Sequence, residues 1–252
     1  MIHLITLSGN SDRFISLGYN HKALLDIDGK TSLEVFINEW EDFNEYDTIF
    51  LCRNEDLEIT NLKNNILKCC PNANIFGIDR NTNGPVFSIS KIFEHIPDGE
   101  SILITYIDSI QRESIKNIKA TFKDCDGGLL VHDLQHPHWR GNKYYCLVKH
   151  DDDNNCLEVI EKYNFNNLDF RNAKGCSGSS GSYYVKDTAL MKKYFSKLME
   201  EKRTVNEEYY VTQIFQDMIA DGLKVKAMYS PYITLGTPEE VEDFLFWKRW
   251  FK

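Results

Sequence analysis

The first thirty residues contain a loop whose composition suits the binding of phosphate groups. An apolar run over residues 2–7 gives way to the small and polar sequence Ser8-Gly9-Asn10-Ser11-Asp12-Arg13-Phe14, and a second cation, Lys22, follows. Small residues let backbone N–H groups approach phosphate oxygens, and side-chain cations balance the charge that remains. The turn Ile27-Asp28-Gly29-Lys30 then leads into a helical pattern. This order predicts a loop folded over a nucleoside triphosphate; the alternative is a tight turn with a surface arginine.

Asp108 follows the strand-like run Ile102-Leu103-Ile104-Thr105-Tyr106-Ile107. A carboxylate at the mouth of a sheet can hold Mg²⁺, because this ion prefers oxygen ligands and is commonly bound by one or two carboxylates together with phosphate oxygens. The alternative is a cap for the next helix, a role for which Ser109 and Ser114 compete. The position at the end of a strand favours the metal site.

Three further motifs have an ordinary structural explanation beside a functional one. Gly84-Pro85 would let the backbone approach a base or ribose, but the residues alone favour a plain helix start. The pair Glu161-Lys162 ends a strand pattern, where the lysine would neutralise a second phosphate; an exposed ion pair is the alternative. The run Asn206-Glu207-Glu208 predicts a capped helix start with an acidic first turn.

Composition limits the class of protein. The net charge of -9, with no basic block, argues against general nucleic-acid binding. Seven scattered cysteines without CxxC spacing predict reduced thiols and a cytoplasmic location. No run is long enough for a membrane span. His132, His136 and His138 lie close together, but their spacing around Pro137 matches no known zinc motif, so we expect a loop over the site.

The hydrophobic patterns predict an α/β fold. Strand patterns over residues 2–7, 48–52, 74–78 and 101–106 alternate with helical patterns over 33–43, 56–68 and 86–95. Alternation of this kind is typical of a doubly wound, Rossmann-like sheet whose ligand lies beyond the carboxyl ends of the strands.

The second half of the chain has a different order of predicted strands and helices. A helix is predicted over residues 112–122, strands over 127–133, 142–150, 157–162 and 181–185, helices over 188–200 and 207–221, a strand pair over 224–229 and 232–235, and a last helix from 238. We therefore predict one domain over residues 1–252 with a mixed sheet, in which 1–125 form a nucleotide-binding half and 126–252 a small β-rich acceptor lobe.

Taken in order, these motifs resemble the sugar-nucleotidyltransferase (nucleoside-diphosphate-sugar pyrophosphorylase) family nearly from end to end. Family members carry an AGxGxRF-like loop, a Pro-Lys pair and an I-x-GK turn, followed by a small residue at a helix start, a metal-binding Asp, Glu-Lys, a GxYYF-like strand, a Glu-Tyr-Tyr motif and GTPEE. The corresponding residues here are Ser8 to Phe14, His21-Lys22, Ile27 to Lys30, Gly84, Asp108, Glu161-Lys162, Gly181 to Val185, Glu208 to Tyr210, and Gly236 to Glu240.

The resemblance implies a reaction in which a phosphorylated acceptor attacks the α-phosphate of an NTP and pyrophosphate leaves. It implies that Arg13 and Lys22 hold the phosphates and that Asp108 holds Mg²⁺. The implied nucleotide contacts are Leu7, Ser8, Gly9, Asn10, Ser11, Arg13, Lys22, Asn83 and Gly84. The implied acceptor contacts are Glu161, Lys162, Gly181 and Glu207.

Three departures from the family pattern carry expectations of their own. Ser11 replaces a loop glycine, and His21 replaces the proline before the lysine, which predicts a looser presentation of Lys22. Thr234 stands in the segment where better-known members carry a second metal-binding Asp. A less-studied branch that also lacks this Asp resembles the chain around residues 136–139.

The substrates follow from the resemblance alone. CTP is slightly preferred over dTTP or UTP, and the acceptor is a sugar-1-phosphate or a non-sugar phosphate used for a capsule or other surface polymer. A non-catalytic nucleotide-binding relative and a glycosyltransferase of GT-A type are the alternatives. The sequence leaves the oligomeric state open, a homo-oligomer included.

Overall fold

A computed structural model of the chain describes residues 1–9, 11–15, 18–19, 21–134, 144–164 and 173–250, without the side chains of Asp12, Arg13, Ile59 and Tyr144. Asn10, the Arg13 side chain and the histidines 136 and 138 therefore lie outside the described residues.

The first half of the chain forms the parallel part of the sheet. Its strands are β1 (Ile2–Thr6), β2 (Asp47–Arg53), β3 (Asn74–Ile78) and β4 (Ile102–Tyr106), arranged in the order β3-β2-β1-β4. All three neighbouring pairs are parallel. Strand β1 is buried along its whole length, as expected for the centre of a sheet covered on both faces. The four predicted strands are confirmed.

The second half continues the same sheet with mixed pairing. It contributes β5 (Ser109–Gln111), β6 (Gly127–His132), β7 (Tyr144–His150), β8 (Cys156–Asn164), β9 (Cys176–Val185), β10 (Val225–Tyr229) and β11 (Tyr232–Thr234). Strand β9 lies antiparallel between β4 and β6, and its first residues also pair with β7, which pairs with β8. The predicted Rossmann-like, doubly wound mixed sheet is confirmed.

The predicted strand pair over 224–229 and 232–235 is wrong in its pairing. Strand β10 runs parallel to β6, whereas β11 pairs with β5 in a separate small sheet. The Ser230 N–H donates to the Val131 carbonyl, so β10 stays on β6 to its end. Beyond Pro231 the chain turns towards Asp108, whose carbonyl accepts the Leu235 N–H at 2.8 Å.

The helices within the described residues are short apart from two. They are α1 (Asp12–Ile15), α2 (Ser32–Asn38), α3 (Asn54–Ile59), α4 (Leu62–Cys69), α5 (Pro85–Ser90), α6 (Ile115–Thr121), α7 (Thr188–Glu200), α8 (Thr212–Ala220) and α9 (Pro238–Trp250). The single helix predicted over 56–68 is two helices, because Thr60 is extended and its hydroxyl bonds the Asp56 carbonyl and the Leu62 N–H.

The helix predicted over residues 207–221 is present as α8, but its predicted start at Glu207 is wrong, because α8 begins only at Thr212. Val205 and Glu208 exchange two backbone hydrogen bonds of 2.9 and 3.1 Å, and the intervening Asn206 and Glu207 have φ values of 50° and 67°. This is the geometry of a two-residue turn with two left-handed residues. Asn206 is thus a turn residue, not a helix cap.

Two large apolar clusters cover the two faces of the sheet. Leu4 belongs to the cluster under α5, α7 and α8, and its neighbour Ile5 belongs to the cluster under α2, α4 and α6. Alternate side chains of a strand point to opposite faces, so the sheet lies between two helical layers. No helix among the described residues is long and apolar enough to cross a membrane.

The turn at Asn206 and Glu207 generates a stability prediction. Glu207 adopts φ 67°, which glycine tolerates better than other residues. We expect Glu207→Gly to raise the free energy of unfolding by about 0.5–1 kcal/mol in urea denaturation. Glu242→Gly, the same change at an exposed position of α9, should lower it by about 1 kcal/mol. Equal losses in both variants would contradict the turn assignment.

Candidate active site

Two adjoining cavities open beyond the carboxyl ends of β1 and β4. The first is lined by Thr6, Ser8, Gly9, Lys22, Asn81, Thr82, Gly84, Pro85, Ser88, Tyr106, Asp108, Glu208 and Tyr210. The second, of about 850 Å³, shares Gly9, Lys22, Tyr106, Asp108, Glu208 and Tyr210. It adds residues from the second half of the chain, among them Glu161, Lys162, Ser180, Gly181, Tyr145, Tyr232 and Glu240. Its volume is in the range of small-molecule sites.

Lys22 and Asp108 meet where the two cavities join. The Lys22 Nζ lies 3.3 Å from Asp108 Oδ2, and the two side chains are 13% and 37% exposed. Asp108 follows β4, whereas Lys22 begins a short 3-10 turn, Lys22–Leu24. A Cβ on Gly9 would stand 3.7 Å from the Lys22 Nζ. The structure therefore brings together Gly9, Lys22 and Asp108, three of the residues predicted from the sequence.

The backbone of Lys22 is fixed by polar side chains on several sides. Ser11 Oγ accepts the Lys22 N–H at 3.3 Å, and the Ser32 hydroxyl donates to the Lys22 carbonyl at 2.6 Å. His21 Nδ1 accepts the Ala23 N–H at 3.0 Å and caps the turn. The expectation that His21 presents Lys22 more loosely stays a prediction; what the structure shows at this position is a hydrogen bond to the turn that Lys22 begins. Ser11 is buried and lines neither cavity.

The segment after β11 places a second carboxylate near Asp108. Glu240 Oε2 accepts hydrogen bonds from Thr234 Oγ1 at 2.9 Å and from the Thr237 N–H at 3.0 Å, and Oε1 accepts from the Tyr145 hydroxyl at 3.1 Å. The Glu240 N–H in turn reaches Thr237 Oγ1, which completes a capping box at the start of α9. Glu240 was missed in the sequence because a capping box explains it.

The donor set fits a metal that arrives with phosphate. Among the described residues no group of three His, Cys, Asp or Glu side chains could hold a metal ion alone. Asp108 offers an accessible carboxylate at the junction of the cavities. Mg²⁺ is usually bound by one or two carboxylates plus substrate phosphate oxygens, so one such carboxylate suits this ion.

Glu161 and Lys162 lie on a bulge of β8. The register between β7 and β8 shifts between Tyr145 and Leu147, and Lys162 has φ 54°. Bulges re-aim side chains, and here both residues line the second cavity. The Lys162 Nζ lies 4.0 Å from Glu161 Oε1 and 4.9 Å from the ring centroid of Tyr210. The exposed-pair alternative is wrong for Glu161, whose side chain is only 8% exposed.

Burial gives Glu161 an unusual environment. Removal from water raises the pKa of its carboxyl, while the hydrogen bond from Thr212 and the charge of Lys162 oppose this rise. Tyr106 and Ser180 also line the second cavity, and neither of their hydroxyls has a hydrogen-bond partner among the described residues. The second cavity is therefore walled by buried polar groups.

The Gly84 loop is tied to the segment that carries Glu208. The Tyr209 N–H donates to the Asn83 carbonyl at 2.9 Å, and the Val86 N–H donates to the Tyr209 carbonyl at 3.1 Å. Gly84 has φ 88°, and a Cβ there would lie 2.8 Å from the backbone of Tyr209. The glycine is required both by its φ value and by this close approach.

Besides Ser11, three predicted contacts line neither cavity. Leu7 is fully buried, and its N–H donates to the Leu51 carbonyl as a continuation of β1. Asn83 faces Tyr209, while its neighbours Asn81 and Thr82 line the first cavity. Glu207 is exposed at the tip of its turn, and Glu208 lines both cavities instead.

The tyrosines of the second cavity were missed as a group. They are Tyr106, Tyr145, Tyr183, Tyr210 and Tyr232. They come from separate strands and a loop, so no spacing along the chain reveals them. Burial, with the nearby Glu161 and Asp108 charges, raises the pKa of the Tyr106 hydroxyl, which keeps it protonated.

Gly84 and Gly99 form a matched pair for testing the close approach. Both have positive φ, but nothing lies within 4 Å of a Cβ on Gly99. We expect Gly84→Ala to lower the free energy of unfolding by about 1–3 kcal/mol more than Gly99→Ala, because only the first variant collides with backbone. Thermal unfolding of both variants measures this difference, and equal losses would contradict the contact with Tyr209.

His21 provides a pH-dependent prediction. Burial lowers its pKa from 6.5 to about 4, against the opposing charge of Asp56. The neutral imidazole is therefore favoured in the fold, and its contribution is fully present above pH 6.5 and is lost as pH falls towards about 4. We expect the wild type to lose about 2–3 kcal/mol more than His21→Asn over this interval in urea denaturation. Parallel curves for the two proteins would contradict the lowered pKa.

Comparisons with known proteins identify the fold. No family described from sequence matches the chain, and neither does any curated protein. A nucleoside-diphosphate-sugar pyrophosphorylase from Vibrio cholerae has a similar structure, with a TM-score of 0.74 at 21% identity over 98% of this chain and 100% of that chain.

Two further solved structures extend this likeness. UDP-glucose pyrophosphorylase in complex with UDP-glucose gives a TM-score of 0.73 at 14% identity, over 100% of this chain and 99% of that chain. An inositol-1-phosphate CTP transferase from T. maritima gives 0.68 at 14% identity, over 97% of this chain and 94% of that chain. The chain therefore has the fold of the sugar nucleotidyltransferases, which confirms the resemblance of its motifs at the level of fold.

Proposed function

We propose that the chain is a nucleotidyltransferase that moves a nucleoside monophosphate from an NTP to a phosphorylated small acceptor and releases pyrophosphate. The observation that carries the proposal is the Lys22–Asp108 pair, which stands where two cavities join. A reaction between two phosphorylated substrates needs a cation and a metal-binding carboxylate at the point where they meet. The similar folds of pyrophosphorylases and of a CTP transferase support it.

The nucleotide occupies the first cavity in this proposal. The backbone at Ser8 and Gly9 lies beside the Lys22 ammonium and receives the phosphates, together with Asn10 and Arg13 of the same loop. The buried Ser11 acts in this proposal through its hydrogen bond with the Lys22 N–H and not by direct contact with phosphate. Asn81, Thr82 and Gly84 line the opposite side, where the base and ribose would lie. CTP remains slightly preferred over dTTP and UTP, and its support is the motif resemblance and the fold of the CTP transferase.

The acceptor occupies the second cavity. Lys162 offers the charge for its phosphate, and Glu161, Gly181 and Glu208 line the space for the rest of the molecule. An oxygen of the acceptor phosphate attacks the α-phosphorus, the bond to the bridging oxygen breaks, and pyrophosphate carries the electron pair away. Lys22 stabilises the charge that develops on the transferred group, and the chain supplies positioning and no covalent nucleophile.

Asp108 is the residue that would hold Mg²⁺. The bound ion would neutralise the charge of the triphosphate.

The product of the proposed reaction is an activated, NDP-linked building block, either a sugar or a non-sugar compound. It is made in the cytoplasm for a capsule or other surface polymer. Neither nucleic acid nor a membrane partner is part of this proposal.

The proposal is tested in two steps. A thermal-shift screen of CTP, UTP, dTTP, GTP and ATP with Mg²⁺ comes first, since a ligand that binds the folded state raises its unfolding temperature. Pyrophosphate release is then measured with the stabilising NTP and a panel of sugar-1-phosphates and small phosphorylated acceptors. Stabilisation without release would favour a non-catalytic nucleotide-binding protein, and release of NDP from an NDP-sugar would favour a glycosyltransferase.

Lys22→Met and Asp108→Asn are the variants that test the assigned chemistry. We expect each to lower the rate of pyrophosphate release about 100-fold or more, because each removes a group that meets developing phosphate charge. The exposed ion pair Lys174–Asp152, with a distance of 2.9 Å, offers the matched controls Lys174→Met and Asp152→Asn. Both controls should keep the wild-type rate, since exposed pairs contribute little. Full activity in Asp108→Asn would contradict its role.

A further inference from the structure

His21 is a fully buried histidine that borders the active site without lining it. Its backbone is extended, with φ -161° and ψ 143°, and its Nδ1 accepts the Ala23 N–H at 3.0 Å. Because Nδ1 is an acceptor, the proton of the neutral ring is on Nε2. Proline holds φ near -65°, so the residue that the family resemblance expects here could not adopt this conformation.

The other side of the imidazole faces a rigid ion pair. His21 Nε2 lies 3.5 Å from Asp56 Oδ2. Asp56 accepts from Arg53 Nε at 2.7 Å and from a second guanidinium nitrogen at 3.0 Å, and both side chains are buried. A two-point contact of this kind fixes the carboxylate in orientation as well as position. Arg53 is the last residue of β2, so the pair is anchored to the sheet.

These contacts form one route from the sheet to the Lys22 ammonium. Arg53 fixes Asp56, Asp56 faces the ring of His21, and His21 caps the turn whose first residue is Lys22. At the other end, Lys22 Nζ is 3.3 Å from Asp108 Oδ2. Neither Arg53 nor Asp56 lines a cavity.

We propose that His21 is a positioning residue, which sets Lys22 at the junction of the two cavities through its Nδ1 cap. Its ring stands against the Arg53–Asp56 pair, 3.5 Å from Asp56 Oδ2 and without a hydrogen bond to it. The role of Lys22 in this statement rests on the proposed function. Ser11 and Ser32 hold the Lys22 backbone directly, and His21 adds a hydrogen bond to the next residue, which depends on one ring nitrogen.

The two amide variants of His21 separate the two ring nitrogens. Asparagine places an acceptor close to the position of Nδ1 and is a strong capping residue, whereas glutamine reaches the position of Nε2 and leaves the Ala23 N–H without its cap. Ile66→Ala is the control, because it removes a buried side chain of α4 that lines neither cavity.

The first readout needs no substrate. The rate at which an acylating reagent modifies Lys22 is followed by mass spectrometry in the absence of nucleotide. We expect His21→Gln to raise this rate about fivefold or more, and His21→Asn and Ile66→Ala to stay within about twofold of the wild type. Equal rates in His21→Gln and His21→Asn, or an equal rise in Ile66→Ala, would overturn the proposal.

The second readout is steady-state kinetics with the NTP and acceptor found above. We expect His21→Gln to lower kcat/KM for the NTP about tenfold or more, and His21→Asn to restore it to within about threefold of the wild type. If the wild type binds NTP without releasing pyrophosphate, the proposed function is wrong. The acylation rates then still test whether His21 positions Lys22. If His21→Gln does not fold, His21→Ala, which also lacks the Nδ1 acceptor, is acylated instead, and an unchanged Lys22 rate there overturns the proposal.

Discussion

The parallel pairing of β1 with β4 is the constraint on which the rest of the site depends. Thr6 is in register with Tyr106, so the loop that follows β1 and Asp108, which follows β4, leave the sheet side by side. Residues separated by almost a hundred positions thus meet at one edge. Strands of a doubly wound sheet that end together in this way form the usual ligand crevice of such folds.

Strand β9 extends this arrangement to the second cavity. It runs antiparallel between β4 and β6, and its first residues pair with β7. The second half of the chain therefore continues the same sheet and lines the second cavity at the same edge. The bulge in β8 then turns Glu161 and Lys162 into the cavity, at the cost of a left-handed backbone at the lysine.

Charged and polar side chains at the two cavities fix the positions of their neighbours. Asp108 holds the Lys22 ammonium. Ser11 and His21 accept backbone N–H groups of the turn behind it, and the Ser32 hydroxyl donates to its Lys22 carbonyl. Glu240 serves the start of α9 as a capping residue and at the same time orients Thr234 and Tyr145 towards the second cavity. A substitution of one such group acts on several elements, because a buried polar group without its partner is costly.

The sequence by itself determined the order of the elements, the doubly wound sheet and several of the lining residues. Apolar runs, the glycine and serine loop, the following cation Lys22 and the carboxylate Asp108 after a strand are local signals, which can be identified from the sequence alone. The tertiary structure decided what depends on distant partners. Glu208 and not Glu207 lines the cavities, and Asn81 and Thr82 line the first cavity in place of Asn83. Five tyrosines from separate elements line the second cavity, and His21 caps the turn that Lys22 begins. These facts follow from burial, strand register and backbone contacts between residues far apart in the chain, which no spacing along the sequence contains.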